Sequence, residues 1–282
     1  MNMVRDLPAI DAHGHFGQYA QPNTPPLKSR FMSGDPATVV ARAKAAHIQY
    51  TVVSPLLGLM PRGQADTVAG NEEAQRAVQE TEGLLQWAVL NPRQPATFEQ
   101  VREMLRQPKC VGIKIHPEEH DYSIAEHGRA IFELAAELRA VILTHSGESN
   151  SLPADFVPFA DAFPEATVIL GHLGNCGAAG GSPELQVRAI QASRHGNVYA
   201  DTSSAQSLLP GLIEWAVGEV GAERILFGSD TPLYFAPCQR ARIDCADLSD
   251  EQKRMILRDN AWRILPIPIS NDSSTKKEFI RC

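Results

Sequence analysis

Cysteine is scarce in this chain and shows no paired spacing. The 282 residues contain 5 cysteines, none of them in a C-x-x-C arrangement: Cys110, Cys176, Cys238, Cys245 and Cys282. An odd number of scattered thiols argues against a disulfide framework. We therefore expect reduced cysteines and a cytoplasmic protein.

The chain also lacks a basic segment and a long apolar run. Acidic residues outnumber basic ones by 33 to 26, giving a formal net charge of -7, whereas a nucleic-acid partner normally needs a basic stripe. No stretch approaches the roughly 18 consecutive apolar residues of a membrane span. The start MNMVRDLPAI lacks the apolar core of a signal peptide. We expect the partner to be a small-molecule substrate and expect no binding to nucleic acid or to a membrane. The sequence leaves open whether the protein forms a homo-oligomer.

Eight short apolar runs recur along the chain, about one βα unit apart. Several are continuous Val/Ile/Leu/Phe stretches, which are typical of strands buried on both faces of a parallel sheet. The runs predict strands at 10–15, 50–54, 85–90, 111–116, 141–145, 168–172, 198–202 and 225–230. Segments of helical character lie between and after them, among them 65–82, 125–139, 207–220 and 248–265.

This alternation predicts an α/β protein with a (β/α)₈ TIM barrel as one domain over residues 1–266. The C-terminal strand ends of such a barrel converge on one mouth, where catalysis takes place. A doubly wound open sheet is the alternative, but it would place the site at a switch point between two strands. Polar residues instead close strands one, four, five, six and eight, which favours the barrel. We expect the loop 21–33 to overhang the mouth and the polar tail 267–282 to be poorly ordered.

Residues able to bind a divalent metal close these apolar runs. Side chains alternate along a strand, so His13 and His15 of the H-x-H segment point to the same side. His145 and Asp230 end two further runs, and imidazole with carboxylate suits Zn²⁺ and similar ions. We predict that these four residues bind one catalytic metal, with a position left for water. Such a bound water ionises with a pKa of about 7.

Two further strand-end residues have several open roles. His172 is a metal ligand, a general acid or base, or a structural imidazole, and we expect it to handle protons together with Asp230. Lys114 should point into the barrel, where an unpaired ammonium is costly. It is therefore carbamylated and bridges two metals, or it meets a carboxylate of the substrate or of Glu118.

Polar residues just after the strands are candidate contacts for the rest of the site. Asp11 is a candidate acceptor that would fix the imidazole of a metal ligand. Arginine suits a substrate carboxylate because its planar guanidinium binds two oxygens at once. The candidate substrate-binding residues are His116, His120, Tyr122, Arg62 and Arg93.

These motifs together resemble the amidohydrolase superfamily, most closely its amidohydrolase-related (family 2) branch. That branch includes metal-dependent enzymes similar to aminocarboxymuconate-semialdehyde decarboxylase. The likeness covers about residues 10–265 and rests on DAHGHFG, GIKIHP, LTHSG, ILGHLG, LFGSDTP and DNAWRIL. It implies that the H-x-H pair, His145 and Asp230 hold a metal and that His172 acts on water or substrate. A lysine in the fourth strand, Lys114, distinguishes this sequence from the decarboxylases of the branch. Binuclear members of the superfamily have a carbamylated lysine at that position.

Three functions follow from these residues. The first is a metal-dependent hydrolase that attacks an amide, ester or lactone of a small molecule with a metal-activated water. The second is a metal-dependent, non-oxidative decarboxylase of a small carboxylic acid. The third is a barrel that binds a ligand without turnover. We expect one divalent ion, zinc by preference, and two if Lys114 is carbamylated.

Overall fold

The chain folds around an eight-stranded parallel sheet with the strands in sequence order. The computed structural model describes residues 4–177 and 180–268. The strands are β1 (Ala9–Phe16), β2 (Ile48–Pro55), β3 (Leu84–Val89), β4 (Cys110–Ile115), β5 (Val141–His145), β6 (Thr167–Gly171), β7 (Val198–Asp201) and β8 (Ile225–Leu226). Each pairs in parallel with the next. This arrangement confirms the predicted (β/α)₈ barrel.

Backbone hydrogen bonds between β1 and the segment that follows β8 close the ring. The amide of Ala12 donates to the carbonyl of Phe227 at 2.9 Å, and the amide of Asp230 donates to the carbonyl of His13 at 2.7 Å. The amide of His15 donates to the carbonyl of Thr231 at 2.6 Å. The closure therefore places the H-x-H segment directly beside Asp230.

Helices follow the strands around the outside of the sheet. They are α1 (Pro26–Phe31), α2 (Pro36–Ala45), α3 (Thr67–Glu80), α4 (Ala96–Met104), α5 (Ile124–Leu138), α6 (Pro153–Ala162), α7 (Leu185–Ala192), α8 (Leu212–Val220), α9 (Ala236–Asp244), α10 (Asp250–Arg254) and α11 (Asn260–Ile264). A π-helical turn, Met255–Asp259, joins the last two. None of these helices, in the part of the chain that the structure describes, has the length and apolar character needed to cross a membrane.

A predicted loop and a predicted helix differ from the structure, as does the strand predicted over 225–230. The loop expected over 21–33 contains the short helix α1, because Pro26 stands at its first position with the φ angle that a helix requires. The helix expected from 207 begins only at Leu212. Gly211 precedes it with a φ of 80°, a left-handed conformation that ends the 3₁₀ turn Gln206–Leu208 and restarts the chain as a helix.

One buried apolar cluster joins the strands to the C-terminal segment. Trp87 of β3 lies in it and donates its indole N–H to the carbonyl of Ala12 at 2.9 Å. Ala261 and Leu265 pack into the same cluster, and Ile267 is buried there as well. Residues 269–282 lie outside the described residues, so the disordered tail over 267–282 and the domain boundary at 266 stay predictions.

Candidate active site

The H-x-H segment and the aspartate after β8 form a tight group of metal-binding atoms. His15 Nε2 lies 3.1 Å from Asp230 Oδ1, and His13 Nε2 lies 3.9 Å from the same oxygen. All three residues are buried, and one ligand atom from each falls within 4.8 Å of the others. Asp230 adopts a φ of 58°, in the left-handed region that aspartate tolerates better than most residues. The fold thus brings together three of the four predicted ligands.

Hydrogen bonds behind the two histidines decide which ring nitrogen faces the site. His13 Nδ1 lies 2.8 Å from Asp201 Oδ2, and His15 Nδ1 lies 3.3 Å from the carbonyl oxygen of Ser54. The Asp201 carboxylate only accepts, so His13 Nδ1 carries the hydrogen and the lone pair of its Nε2 is free for a metal. His15 Nδ1 also lies 2.9 Å from the Ser54 hydroxyl, which can donate or accept, while its Nε2 faces Asp230.

Burial and neighbouring charges set the protonation of this group. Burial lowers the pKa of His15 to about 4, so its imidazole is neutral near pH 7. Burial acts to raise the pKa of Asp230, but the positive field of His172 and the contacts with His15 and His13 outweigh it and hold that pKa far below its usual range. A neutral imidazole and an ionised carboxylate are the forms that bind metal.

Lys114 stands beside the same group. Its Nζ lies 2.9 Å from His13 Nε2, and burial lowers its pKa to about 8 while Asp230 and Asp201 oppose that shift. The expected pairing with Glu118 is wrong. The Glu118 carboxylate accepts from the amide of Asn150 at 2.8 Å, because the chain after β4 turns this side chain toward the loop that follows β5.

His145 and His172 form a second pair of side chains that are able to bind a metal. His145 Nδ1 lies 3.1 Å from His172 Nε2. On their outer sides, His145 Nε2 lies 3.0 Å from Glu148 Oε1 and His172 Nδ1 lies 2.5 Å from Ser203 Oγ. His145 stands apart from the group around Asp230, so its role as the fourth ligand of one ion stays a prediction. His172 belongs to a second group of metal-binding atoms with His13 and Asp201.

The chemistry of these donors fits a divalent cation. Neutral imidazoles and ionised carboxylates converge from four strand ends, and they are the nitrogen and oxygen ligands that zinc and related ions take. Asp201 strengthens the fit because its pKa is lowered to about 2: burial raises it, but the field of His13 and the hydrogen bond from that residue prevail. His13, His15 and Asp230 could therefore hold a metal ion, with His172 and Asp201 as further possible ligands alongside.

Sequence reasoning missed Asp201, which closes the apolar run at the end of β7. It assigned the role of imidazole acceptor to Asp11 instead, and that assignment is wrong. The Asp11 carboxylate accepts from the amides of Ser229 at 2.9 Å and His13 at 3.2 Å. The pairing register of β1 shifts between Asp11 and Gly14, so simple alternation does not carry the side chain to the metal-binding face.

A cavity of about 260 Å³ opens above the donors. Its floor holds the four histidine and aspartate ligands predicted from the sequence, together with Lys114 and His172. Apolar and aromatic side chains form part of the wall: Tyr19, Leu56, Leu59, Met60, Leu233 and Tyr234. Polar side chains complete the lining, among them Glu119, Glu148, Asn175, Ser204 and Gln206. The segment predicted to overhang the mouth does reach it, since the Gln21 amide donates to Glu119, another lining residue.

Two of the five candidate substrate contacts line this cavity. His116 stacks on His145 with ring centroids 4.4 Å apart, and its Nδ1 accepts from the amide of Glu119 at 3.3 Å. Arg62 lies at the edge, where its Nη2 is 3.1 Å from Glu119 Oε1. The guanidinium is therefore already paired with a carboxylate of the protein.

The other three candidates are not among the described residues that line the cavity. His120 Nε2 lies 2.9 Å from the carbonyl oxygen of Gly58, which holds the ring behind the wall. Tyr122 is buried in the apolar core. Arg93 pairs with Asp121 at 2.8 Å on the exposed surface. Proximity to a strand end along the chain was a poor guide here, because His120 and Tyr122 after β4 are buried behind the cavity and Arg93 after β3 lies on the surface.

A metal-binding floor at the C-terminal strand ends of a (β/α)₈ barrel defines the class of this protein as a metal-dependent barrel enzyme. Residues 10–267 match the sequence profile of the amidohydrolase family. The chain therefore belongs to the amidohydrolase family, in the family 2 branch that its motifs resemble. No curated protein matches the chain by sequence.

Several solved structures share the fold over most of their length. A 2,6-dihydroxybenzoate decarboxylase from Rhizobium is 15% identical and has a TM-score of 0.71, covering 91% of this chain and 98% of its own. A 5-carboxyvanillate decarboxylase from Sphingomonas paucimobilis is 16% identical with a TM-score of 0.70, covering 93% and 100%. The 5-carboxyvanillate decarboxylase from Novosphingobium aromaticivorans, solved with manganese and 4-hydroxy-3-methoxy-5-nitrobenzoic acid, is 14% identical with a TM-score of 0.70, covering 91% and 95%.

Proposed function

We propose that this enzyme is a metal-dependent, non-oxidative decarboxylase of a small carboxylic acid, and that its preferred substrate contains a single aromatic ring. The observation that carries the proposal is the cavity, which combines residues able to bind a metal and the Lys114 ammonium with apolar and aromatic side chains. Decarboxylases of small aromatic acids with the same fold support it. We therefore favour decarboxylation over the hydrolysis of an amide, ester or lactone.

The size and lining of the cavity limit the substrate. A volume of about 260 Å³ lies below the roughly 300–1,000 Å³ of sites for drug-sized ligands. Leu56, Leu233, Tyr19 and Tyr234 line the cavity and would offer apolar and aromatic contacts to a flat ring. This lining favours a small, flat acid over a peptide or a polymer.

The floor supplies the groups that a carboxylate needs. An ion held by His13, His15 and Asp230 would act as a Lewis acid that binds and polarises the substrate. The Lys114 ammonium, whose pKa lies above 7, adds a buried positive charge next to His13. A carboxylate-bearing substrate would pair with this charge, which no carboxylate of the described residues contacts within ion-pair distance.

Loss of carbon dioxide leaves an electron pair on carbon that must take up one proton. His172 lines the cavity, and burial holds its pKa well below the usual range, so its imidazolium form gives up a proton readily. Ser203 orients the ring from behind through Nδ1. We assign proton delivery to His172, which takes up a proton from solvent for each turnover, while the Asp230 carboxylate stays ionised beside it.

A screen for carbon dioxide release tests the proposal. Protein loaded separately with zinc and with manganese is incubated with mono- and dihydroxybenzoates, methoxy-substituted hydroxybenzoates and their non-aromatic analogues in deuterated water. We expect carbon dioxide together with a product that carries one deuterium at the carbon that lost the carboxylate. Release of an alcohol or amine from ester, lactone or amide substrates, without carbon dioxide from any acid, would overturn it.

Hydrolysis remains the second candidate because of one observation. Lys114 stands next to His13, which belongs to both groups of metal-binding atoms. A carbamylated lysine at this position would carry a negative charge and bridge two ions. Metal analysis after incubation with zinc and bicarbonate separates the cases: we expect one equivalent per chain, unchanged in Lys114→Ala. Two equivalents, lost together in that variant, would favour the hydrolase.

A further inference from the structure

We propose that Glu148 is a positioning residue that fixes His145 as a metal ligand through Nδ1. The inference rests on the metal site of the proposed function, but not on decarboxylation. Glu148 stands three residues after His145 in the loop that follows β5, and it lines the cavity. Sequence patterns did not single it out, since it closes no apolar run.

The contact between the two residues decides the tautomer of His145. Glu148 Oε1 lies 3.0 Å from His145 Nε2. An ionised carboxylate only accepts, so Nε2 carries the hydrogen and Nδ1 holds the lone pair. His145 therefore presents a free lone pair toward His172.

The neighbouring imidazole is fixed in a complementary way. The Ser203 hydroxyl donates to the carboxylate of Asp201 in a short contact. It must then accept from the Nδ1–H of His172, 2.5 Å away. His172 Nε2 is thus left with a lone pair, which faces the lone pair of His145 Nδ1 at 3.1 Å.

Two lone pairs at this distance cannot form a hydrogen bond with each other. The lone pair of His145 Nδ1 therefore stays available to a metal ion, while His172 Nε2 stays available to take up a proton. Without Glu148, His145 is free to move its hydrogen to Nδ1. This N–H would then donate to His172 Nε2, and His145 Nδ1 would no longer offer a lone pair to a metal.

The proposed role is separable from folding. The Glu148 side chain is 37% exposed, and its ion-pair contact is with His145. Its replacement therefore leaves the buried core intact. Glu148→Leu removes the acceptor, whereas Glu148→Gln keeps a carbonyl oxygen at the same place. Glu165→Leu, at an exposed turn before β6, is the control for general effects of the substitution.

Zinc affinity and histidine tautomers test the proposal together. Affinity is measured on metal-free protein by competition with a chromophoric chelator. We expect Glu148→Leu to bind zinc about 10–100-fold more weakly, as for other residues that orient a ligand imidazole. Glu148→Gln and Glu165→Leu should stay close to the native affinity. Unchanged zinc affinity in Glu148→Leu would overturn the proposal.

Nitrogen-15 NMR of the imidazoles, in the metal-free proteins, provides the second measurement. We expect the Nε2–H form of His145 in the native protein and in Glu148→Gln, and the Nδ1–H form in Glu148→Leu. The same tautomer in all three would contradict the role of Glu148 even if affinity fell. Native protein that binds no zinc, yet shows the expected tautomers, would refute the metal site of the proposed function and leave the orienting contact standing.

Discussion

His13 illustrates how the role of one side chain depends on the partner of its second nitrogen. Its Nδ1 faces Asp201, and its Nε2 faces both Lys114 and Asp230. The carboxylate fixes the hydrogen on Nδ1, so the other nitrogen is free to bind a cation or to accept from the Lys114 ammonium. Metal and ammonium therefore compete for the same lone pair.

Asp201→Asn tests this orienting contact. An amide can donate to His13 Nδ1, which would move the imidazole hydrogen to Nε2 and remove the lone pair from the site. We expect zinc affinity to fall about 10–100-fold, measured by chelator competition. Asp161→Asn, at the end of α6 beside Arg194, is the matched control and should bind zinc normally. Native affinity in Asp201→Asn would show that the contact has no such role.

Asp230→Asn tests the carboxylate itself. The substitution removes an anionic ligand and a proton acceptor at once. We expect loss of measurable turnover and of bound metal, checked by product analysis and by metal content per chain. Asp155→Asn, in the first turn of α6, serves as the control and should retain both. Retention of metal and activity in Asp230→Asn would refute the assignment.

At the scale of elements, β8 shows why strand ends are hard to predict. The apolar run predicts a strand over 225–230, whereas β8 has only the two residues Ile225–Leu226. The next amide, that of Phe227, donates at 2.9 Å to the carbonyl of Ile256 in the π-helical turn. The segment then bonds to β1, so partners distant in sequence decide where regular pairing stops.

A contact between α8 and α9 gives a pH-dependent contribution to stability. Arg242 donates through both terminal nitrogens to the Glu214 carboxylate, and this hydrogen bond is the main reason why the pKa of Glu214 is lowered to about 2. A depressed carboxyl pKa stabilises the fold above the unfolded value of 4.5, and this contribution disappears as pH falls toward 2.

Glu214→Gln should therefore lower the free energy of unfolding by roughly 1–2 kcal/mol at pH 7. The difference from the native protein should shrink as the pH falls below about 4.5. Urea unfolding at several pH values measures it. Glu184→Gln removes the more exposed pair with Arg188 on α7 and should change stability by less than about 0.5 kcal/mol. An undiminished difference at pH 2 would contradict the linkage.

At the scale of the whole molecule, the metal site lies where the barrel closes. His13 and His15 come from β1 and Asp230 follows β8, so one ion would join the first and last strands. Binding to the folded state alone stabilises it by about 2.7 kcal/mol when free metal is a hundredfold above its Kd.

We expect zinc to raise the Tm of the metal-free protein by roughly 5–10 °C under those conditions. Differential scanning fluorimetry at increasing zinc concentration measures the effect. Asp230→Asn should abolish most of the shift, while Asp155→Asn should keep it. An equal shift in the native protein and in Asp230→Asn would place the stabilising metal elsewhere.

The sequence by itself determined the barrel, the polar strand ends and the family. Apolar runs at βα spacing require parallel strands, and the alternation of side chains sets His13 and His15 on one face. These are local properties of the chain. The tertiary structure alone decided the partners of the ring nitrogens, because Asp201 is 188 residues from His13 and reaches it only when the barrel closes. It also turned His120 and Tyr122 away from the cavity, since backbone hydrogen bonds to His116 and Pro117 fix the loop after β4. Arg93, after β3, pairs with Asp121 on the surface.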